Sequence, residues 1–143
     1  MDVATILKRK GSAVLTVAPD TSIAAVVKIL REKRIGVVVV SDDGKRVQGI
    51  LSERDVVRWL ADDGAGMLER PARDLMTREV RVCRPQDQIA GLMEQMSTHR
   101  IRHLPVVENG ALGGMISIGD VVKYRLEEIE FEAEALKQYV ANA

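Results

Sequence analysis

Gly49-Ile50-Leu51-Ser52-Glu53-Arg54-Asp55 returns later in the chain as Gly114-Met115-Ile116-Ser117-Ile118-Gly119-Asp120. In both places a glycine and two apolar residues lead to a serine, and an aspartate stands three positions further on. The pattern describes a strand running into a helix N-terminus, where free backbone N–H groups and the positive end of the helix dipole meet. Serine and aspartate there can cap the helix. The same pair can hold a ribose-phosphate, since the carboxylate accepts from vicinal hydroxyls and the helix end favours the phosphate. A single copy reads as a cap. Two copies at matched places favour the ligand reading, with Ser52, Asp55, Ser117 and Asp120 as candidate residues.

Working outward, the chain aligns with itself at an offset of 66: Pro19 with Pro85, Ile23 with Ile89, Val26 with Leu92, Arg34 with Arg100 and Ile35 with Ile101. After Gly44 and Gly110 the offset falls to 65, and Trp59 meets Tyr124. A weaker echo, Ile6-Leu7 with Leu75-Met76, precedes each copy. Such a repeat sets the architecture. Val14–Val17 and Val80–Cys83 read as short strands, and Thr21 and Asp87 as N-caps. Ile23, Val26, Val27 and Leu30, then Ile89, Leu92, Met93 and Met96, give each following helix one apolar stripe. Val37–Val40 and Leu104–Val107 read as buried strands. Asp42-Asp43-Gly44 and Glu108-Asn109-Gly110 carry hairpin chemistry. Strands Val47–Ser52 and Leu112–Ser117 return into helices beginning near Asp55 and Asp120.

The fold class is therefore α/β, of the α+β type: two pseudo-symmetric β-α-β-β-α units packed through their sheets, plus a C-terminal helix. One copy is too small to bury a good core by itself. Residues 1–62 form the first unit and 72–126 the second. The Gly- and Asp-rich stretch around 63–71 connects them, and 127–143 form a helical tail.

The 143 residues are 46% hydrophobic, 29% charged and only 3% aromatic, with 21 basic and 21 acidic side chains. A balanced charge offers no footprint for nucleic acid or an anionic membrane. No apolar run approaches the roughly 20 residues of a membrane span. The N-terminal stretch does not read as a signal peptide, and one cysteine, Cys83, suits a reducing cytoplasm. His99 and His103 lack companions for a metal site. Cys83, Trp59 and Tyr124 read as packing residues. No nucleophile and base stand together, so the chain is not expected to be an enzyme. In the tail, Val122, Leu126, Ile129, Ala133, Leu136 and Val140 form a seam of period 3.5 among five glutamates. It either pairs with a second copy or packs back on its own unit.

The duplicated Gly-x-x-Ser-x-x-Asp, the Ile101–Val107 stretch (Ile-x-x-Leu-Pro-Val-Val) and the lead-in Asp74-Leu75-Met76-Thr77 resemble the tandem cystathionine-β-synthase-type (CBS) domain pair, or Bateman module, from about Val3 to Tyr124. The resemblance implies two clefts between the units that bind an adenosine ligand such as AMP, ADP, ATP, NAD(H) or S-adenosylmethionine. It also implies a disc-like homodimer acting on an unknown target protein, with no required cofactor. Asp55 and Asp120 would hold ribose hydroxyls, with Ser52 and Ser117 nearby. Arg100, Arg102 and His103 would meet the phosphate. Thr16, Gly36, Val37, Leu104 and Pro105 would contribute backbone and apolar contacts to the adenine. Because the first copy has Gly36 and Val37 where the second has Arg102 and His103, one cleft is expected to fill first, with Asp120 as its ribose partner. The expected function is adenine-nucleotide sensing; the alternative is a structural dimerisation module with degenerate clefts.

Overall fold

A computed structural model describes all residues 1–143. The first sheet runs β1 (Thr16–Val17), β2 (Val37–Val40), β3 (Gly49–Ser52), with β1 parallel and β3 antiparallel to β2. In the second sheet β4 (His103–Glu108) pairs antiparallel with β5 (Ala111–Ser117). Helices α2 (Ile23–Lys33) and α3 (Glu53–Asp63) accompany the first sheet, and α5 (Ile89–His99) and α6 (Ile118–Ala141) the second. Two shorter helices, α1 (Val3–Lys10) and α4 (Ala72–Leu75), lead into the two halves.

The repeat reaches into backbone detail. Arg34 and Arg100 both close their helices in the left-handed region, at φ 54° and 52°. Ile35 N–H then donates to Leu30 and Ile101 N–H to Met96, each at 3.1 Å, which satisfies carbonyls the helix end would leave free. Glu53 N–H donates to the Gly36 carbonyl at 2.9 Å, and Ile118 N–H to Arg102 at 2.8 Å. The hairpin at Asn109-Gly110 has both central residues at positive φ (52° and 76°), the twist that suits two paired strands.

Several expected elements are shorter or displaced. The strand expected over Val14–Val17 keeps only its last two residues. That over Val80–Cys83 is reduced to one parallel bridge, Cys83 to Val106. Both lie at sheet edges, where a strand has a neighbour on one side only, and a proline follows each. The caps move one residue on from Thr21 and Asp87. Ser22 Oγ accepts from Ala25 N–H at 3.2 Å, while Gln88 caps α5 without a side-chain bond. Asp87 instead accepts from Arg84 N–H at 2.8 Å, holding the turn before the helix. The connector is not a free linker: Ala65–Glu69 forms a 3-10 helix that buries Met67.

Two cores form, and they are laced together. The first gathers Ile23, Val26, Leu30, Val38, Val40 and Leu51, and takes Met67, Ala72 and Leu75 from beyond the connector. The second gathers Ile89, Leu92, Met96, Leu104, Val106 and Ile116, and takes Val3 and Ile6 from α1. Each lead-in helix thus packs on the half that follows or precedes its own. Backbone bonds fix the exchange symmetrically. Ala4 N–H donates to Pro85 at 2.8 Å and Val3 N–H to Asp87 at 3.0 Å, while Arg73 N–H donates to Pro19 at 3.0 Å and Ala72 N–H to Thr21 at 2.7 Å.

The tail expected over 127–143 is no separate element but the continuation of α6. Its first turns bury Val121 and Tyr124. Beyond them Leu126, Ile129, Leu136 and Val140 are all exposed, so the 3.5-period seam does not fold back on its own unit.

Candidate functional site

Both Ser-x-x-Asp junctions form the same box. Ser52 Oγ accepts from Asp55 N–H at 3.1 Å and Asp55 Oδ2 accepts from Ser52 N–H at 2.9 Å. Ser117 and Asp120 repeat the two bonds at 3.1 and 2.9 Å. The capping and ligand readings are thus not exclusive. Capping orients the carboxylate at the helix end, and a carboxylate has about four lone-pair sites, more than the cap uses.

The surroundings of the two boxes differ. Beside Ser52 and Asp55 lies a cavity of about 430 Å³, within the range that holds a small-molecule ligand. It lies between the halves. Gly36, Val37, Ser52 and Asp55 come from the first, and Arg100, Arg102 and His103 from the second. The second lead-in supplies Thr77, which is tied to Ile50 by a pair of backbone bonds of 3.0 Å, and the wall continues through Val80 and Arg81. At Gly36 the two halves come close together. A Cβ there would stand 3.3 Å from Glu53 Oε1 and 3.5 Å from His103 Cε1.

This geometry corrects the expected pairing of Arg102 with Asp120. The starts of β2 and β4 face one another across the seam of the halves, so Arg102 and His103 share a cavity with Asp55 of the other copy. Ser117 and Asp120 lie outside it; Lys10 reaches Asp120 Oδ2 at 2.6 Å instead. Thr16, Leu104 and Pro105 do not line it either. Leu104 alternates with His103 along β4, so its side chain turns into the second core, fully buried. Pro105 stands in the ladder opposite Met115, and Thr16 opposite Val39.

The cavity is basic. Arg54, Arg58, Arg81, Arg100 and Arg102 line it against Glu53, Asp55 and Glu79. Of these arginines Arg58 alone forms an ion pair, at 2.7 Å from Asp55 Oδ1. Apolar walls come from Val37, Ile50, Val80 and Ile101. His103 is not one of the charges at neutral pH, because burial pushes its pKa down from 6.5 and the nearby Glu53 carboxylate only partly restores it. Arg54, Arg58 and Arg81 escaped the sequence reading. Arg54 and Arg58 sit within or just after the repeated motif, but the second copy has Gly119 and Lys123 there, so symmetry did not mark them. Thr77 was visible as the end of the Asp74–Thr77 lead-in. Cys83 is buried in the second core, and burial pushes its thiol up to about 12, far from a reactive thiolate. Trp59 and Tyr124 pack at the cores, with Trp59 Nε1 donating to the Leu75 carbonyl at 3.1 Å.

No helix is long and apolar enough to cross a membrane. The family model of the CBS domain matches residues 3–62 and again 72–127. A CBS-domain containing protein from Agrobacterium tumefaciens superposes with a TM-score of 0.84 at 47% identity, covering 87% of this chain and 99% of that one. A CBS domain protein from Pyrobaculum aerophilum, solved complexed with AMP, gives 0.72 at 30% identity over 84% and 89% of the two chains. The mitochondrial CBS domain-containing protein CBSX3 of Arabidopsis thaliana is 30% identical over 143 residues, 94% of this chain and 69% of the relative.

Proposed function

The chain belongs to the CBS-domain family, as two such domains in one polypeptide, and from that premise we propose that it binds an adenine nucleotide in the Asp55 cavity and passes the event on as a change of shape or association, without turnover. The observation that carries this reading is the cavity itself, which joins a ribose-type carboxylate on one half to unpaired arginines on the other. Asp55 accepts from the ribose hydroxyls, and Ser52 stands beside it at the same helix end. Ile50, Val80 and Ile101 offer the adenine an apolar slot. Arg100 and Arg102 meet the phosphate, and neutral His103 adds a hydrogen bond rather than a charge. A ligand spanning both halves binds better to one placement of them than to another, which is what shifts a conformational equilibrium. The AMP found on the Pyrobaculum aerophilum relative supports the ligand class.

The output is proposed to pass through a homodimer whose contact includes the exposed α6 seam, and on to an unidentified target protein. Calorimetry with AMP, ADP, ATP, NADH and S-adenosylmethionine tests the reading, and silence from all five at millimolar concentration would refute it. Arg102→Ala should weaken phosphorylated ligands by roughly ten- to a hundredfold, the worth of one charge-assisted contact, and leave adenosine nearly unchanged. Equal loss of both would make Arg102 a support of the fold instead.

A further inference from the structure

The lead-in of the first copy is longer than that of the second. Ile6-Leu7 and Leu75-Met76 match at an offset of 69, while the strands that follow match at 66, so three residues are extra. They extend α1, which has 8 residues where α4 has 4. The last turn of α1 is Lys8-Arg9-Lys10, and it lies against the Asp120 junction. Lys10 Nζ donates to Asp120 Oδ2 at 2.6 Å and to the Met115 carbonyl at 2.8 Å. Arg9 reaches Glu127 at 3.3 Å and lies 5.8 Å above the Tyr124 ring. Leu7 crosses Gly114 so closely that a Cβ there would come within 2.7 Å of it.

In the other half the chain leaves α4 at Met76, and Thr77 bridges to Ile50, so no lead-in side chain reaches Asp55. Both carboxylates meet a cation, but of different kinds. Arg58, at 2.7 Å from Asp55, belongs to the same helix, is 68% exposed and itself lines the cavity. Lys10 arrives from another element, is 31% exposed and is held by a second bond to the Met115 carbonyl. Burial works to raise the Asp120 carboxyl, but its bonds from Lys10 and from Ser117 outweigh that and keep it below the usual carboxylate range. Charge-assisted bonds of this kind are the strong ones.

We infer that Lys10 is a built-in occupant of the Asp120 junction, setting an ammonium against the carboxylate a second ribose would use and limiting the chain to one nucleotide, held at Asp55. The inference rests on the proposed nucleotide binding and adds to it a stoichiometry and the residue that sets it. Lys10 ends its helix partly exposed, whereas α1 is anchored by buried Val3 and Ile6, so its side chain can be removed without opening the core.

Calorimetry with AMP and with ATP on wild type and on Lys10→Ala decides the matter. One site per wild-type chain, rising to two in Lys10→Ala, is the expected result. Two sites in wild type, or one in both proteins, would overturn the role of Lys10 and leave nucleotide binding standing. No binding to either protein would overturn the nucleotide reading and this inference with it. Should Lys10→Ala melt below the working temperature, Lys10→Met keeps the aliphatic stem, drops the charge and is read in the same way.

Discussion

His103 stands where the two halves touch, with Glu53, Lys10, Asp120 and Arg102 as its charged neighbours. Burial is the largest influence on it and lowers its pKa below the ordinary 6.5, so the folded chain holds the imidazole neutral. The unfolded chain takes up a proton first as the pH falls. His103 therefore contributes stability that is present above about pH 6.5 and is lost as the pH drops toward its folded value. Thermal unfolding of wild type between pH 7.5 and 5.5 should show a steeper fall in midpoint than His103→Gln shows, because glutamine cannot titrate. Parallel curves would mean that other groups carry the acid sensitivity. The same neutrality bears on the ligand. A phosphate in the cavity would favour the imidazolium, so the proposed nucleotide binding should take up protons once the pH falls below about 6.5, while His103 stays neutral at pH 7 and above.

Among the elements, α6 carries the largest unpartnered face. Leu126, Ile129, Leu136 and Val140 lie along its seam, each at least 46% exposed. Burying one such side chain against a partner stabilises a complex by about 1.5–3 kcal/mol. Replacing Ile129 and Leu136 by serine should therefore weaken self-association at least roughly tenfold in analytical ultracentrifugation. An unchanged dimer would place the contact elsewhere. Both residues lie beyond the stretch that anchors α1, since Arg9 bonds to Glu127 and the Met1 ammonium to Glu128. Cutting the chain after Arg125 would release those anchors along with the seam. What the sequence could and could not disclose also divides by element. Helices α2, α3, α5 and α6, the two central strands and the Ser-x-x-Asp junctions were legible, because periodicity and local chemistry set them, whereas the lead-in helices α1 and α4 showed only as an echo of Ile6-Leu7 in Leu75-Met76. Edge strands were over-read, since β-branched residues at Val14–Val17 cannot tell an edge from a centre. The sharing of the cavity between copies was not legible, because Arg102 and Asp55 lie 47 positions apart and their meeting depends on how two similar sheets face one another.

The whole molecule is organised by the exchange of its lead-in helices. A fragment covering residues 1–64 keeps Ile23, Val26 and Leu30 but lacks Met67, Ala72 and Leu75, and a fragment covering 65–143 lacks Val3 and Ile6. Cavities of that size in a core cost several kcal/mol, comparable to the net stability of a small domain. Each fragment alone should show little cooperative unfolding by circular dichroism. Mixed in equal amounts, they should recover a single transition, since each carries the piece the other needs. Recovery in either fragment alone would show that the lacing is dispensable. The lacing also constrains how such a chain could have arisen. A single-copy ancestor with this packing has no second half to receive its lead-in helix, and can complete its core only by swapping that helix with another molecule. Duplication and fusion then turn an obligate pair of identical chains into one chain. From that moment the two Ser-x-x-Asp junctions, once bound by symmetry to be alike, are free to diverge, and a three-residue difference between the lead-ins bears on one junction alone.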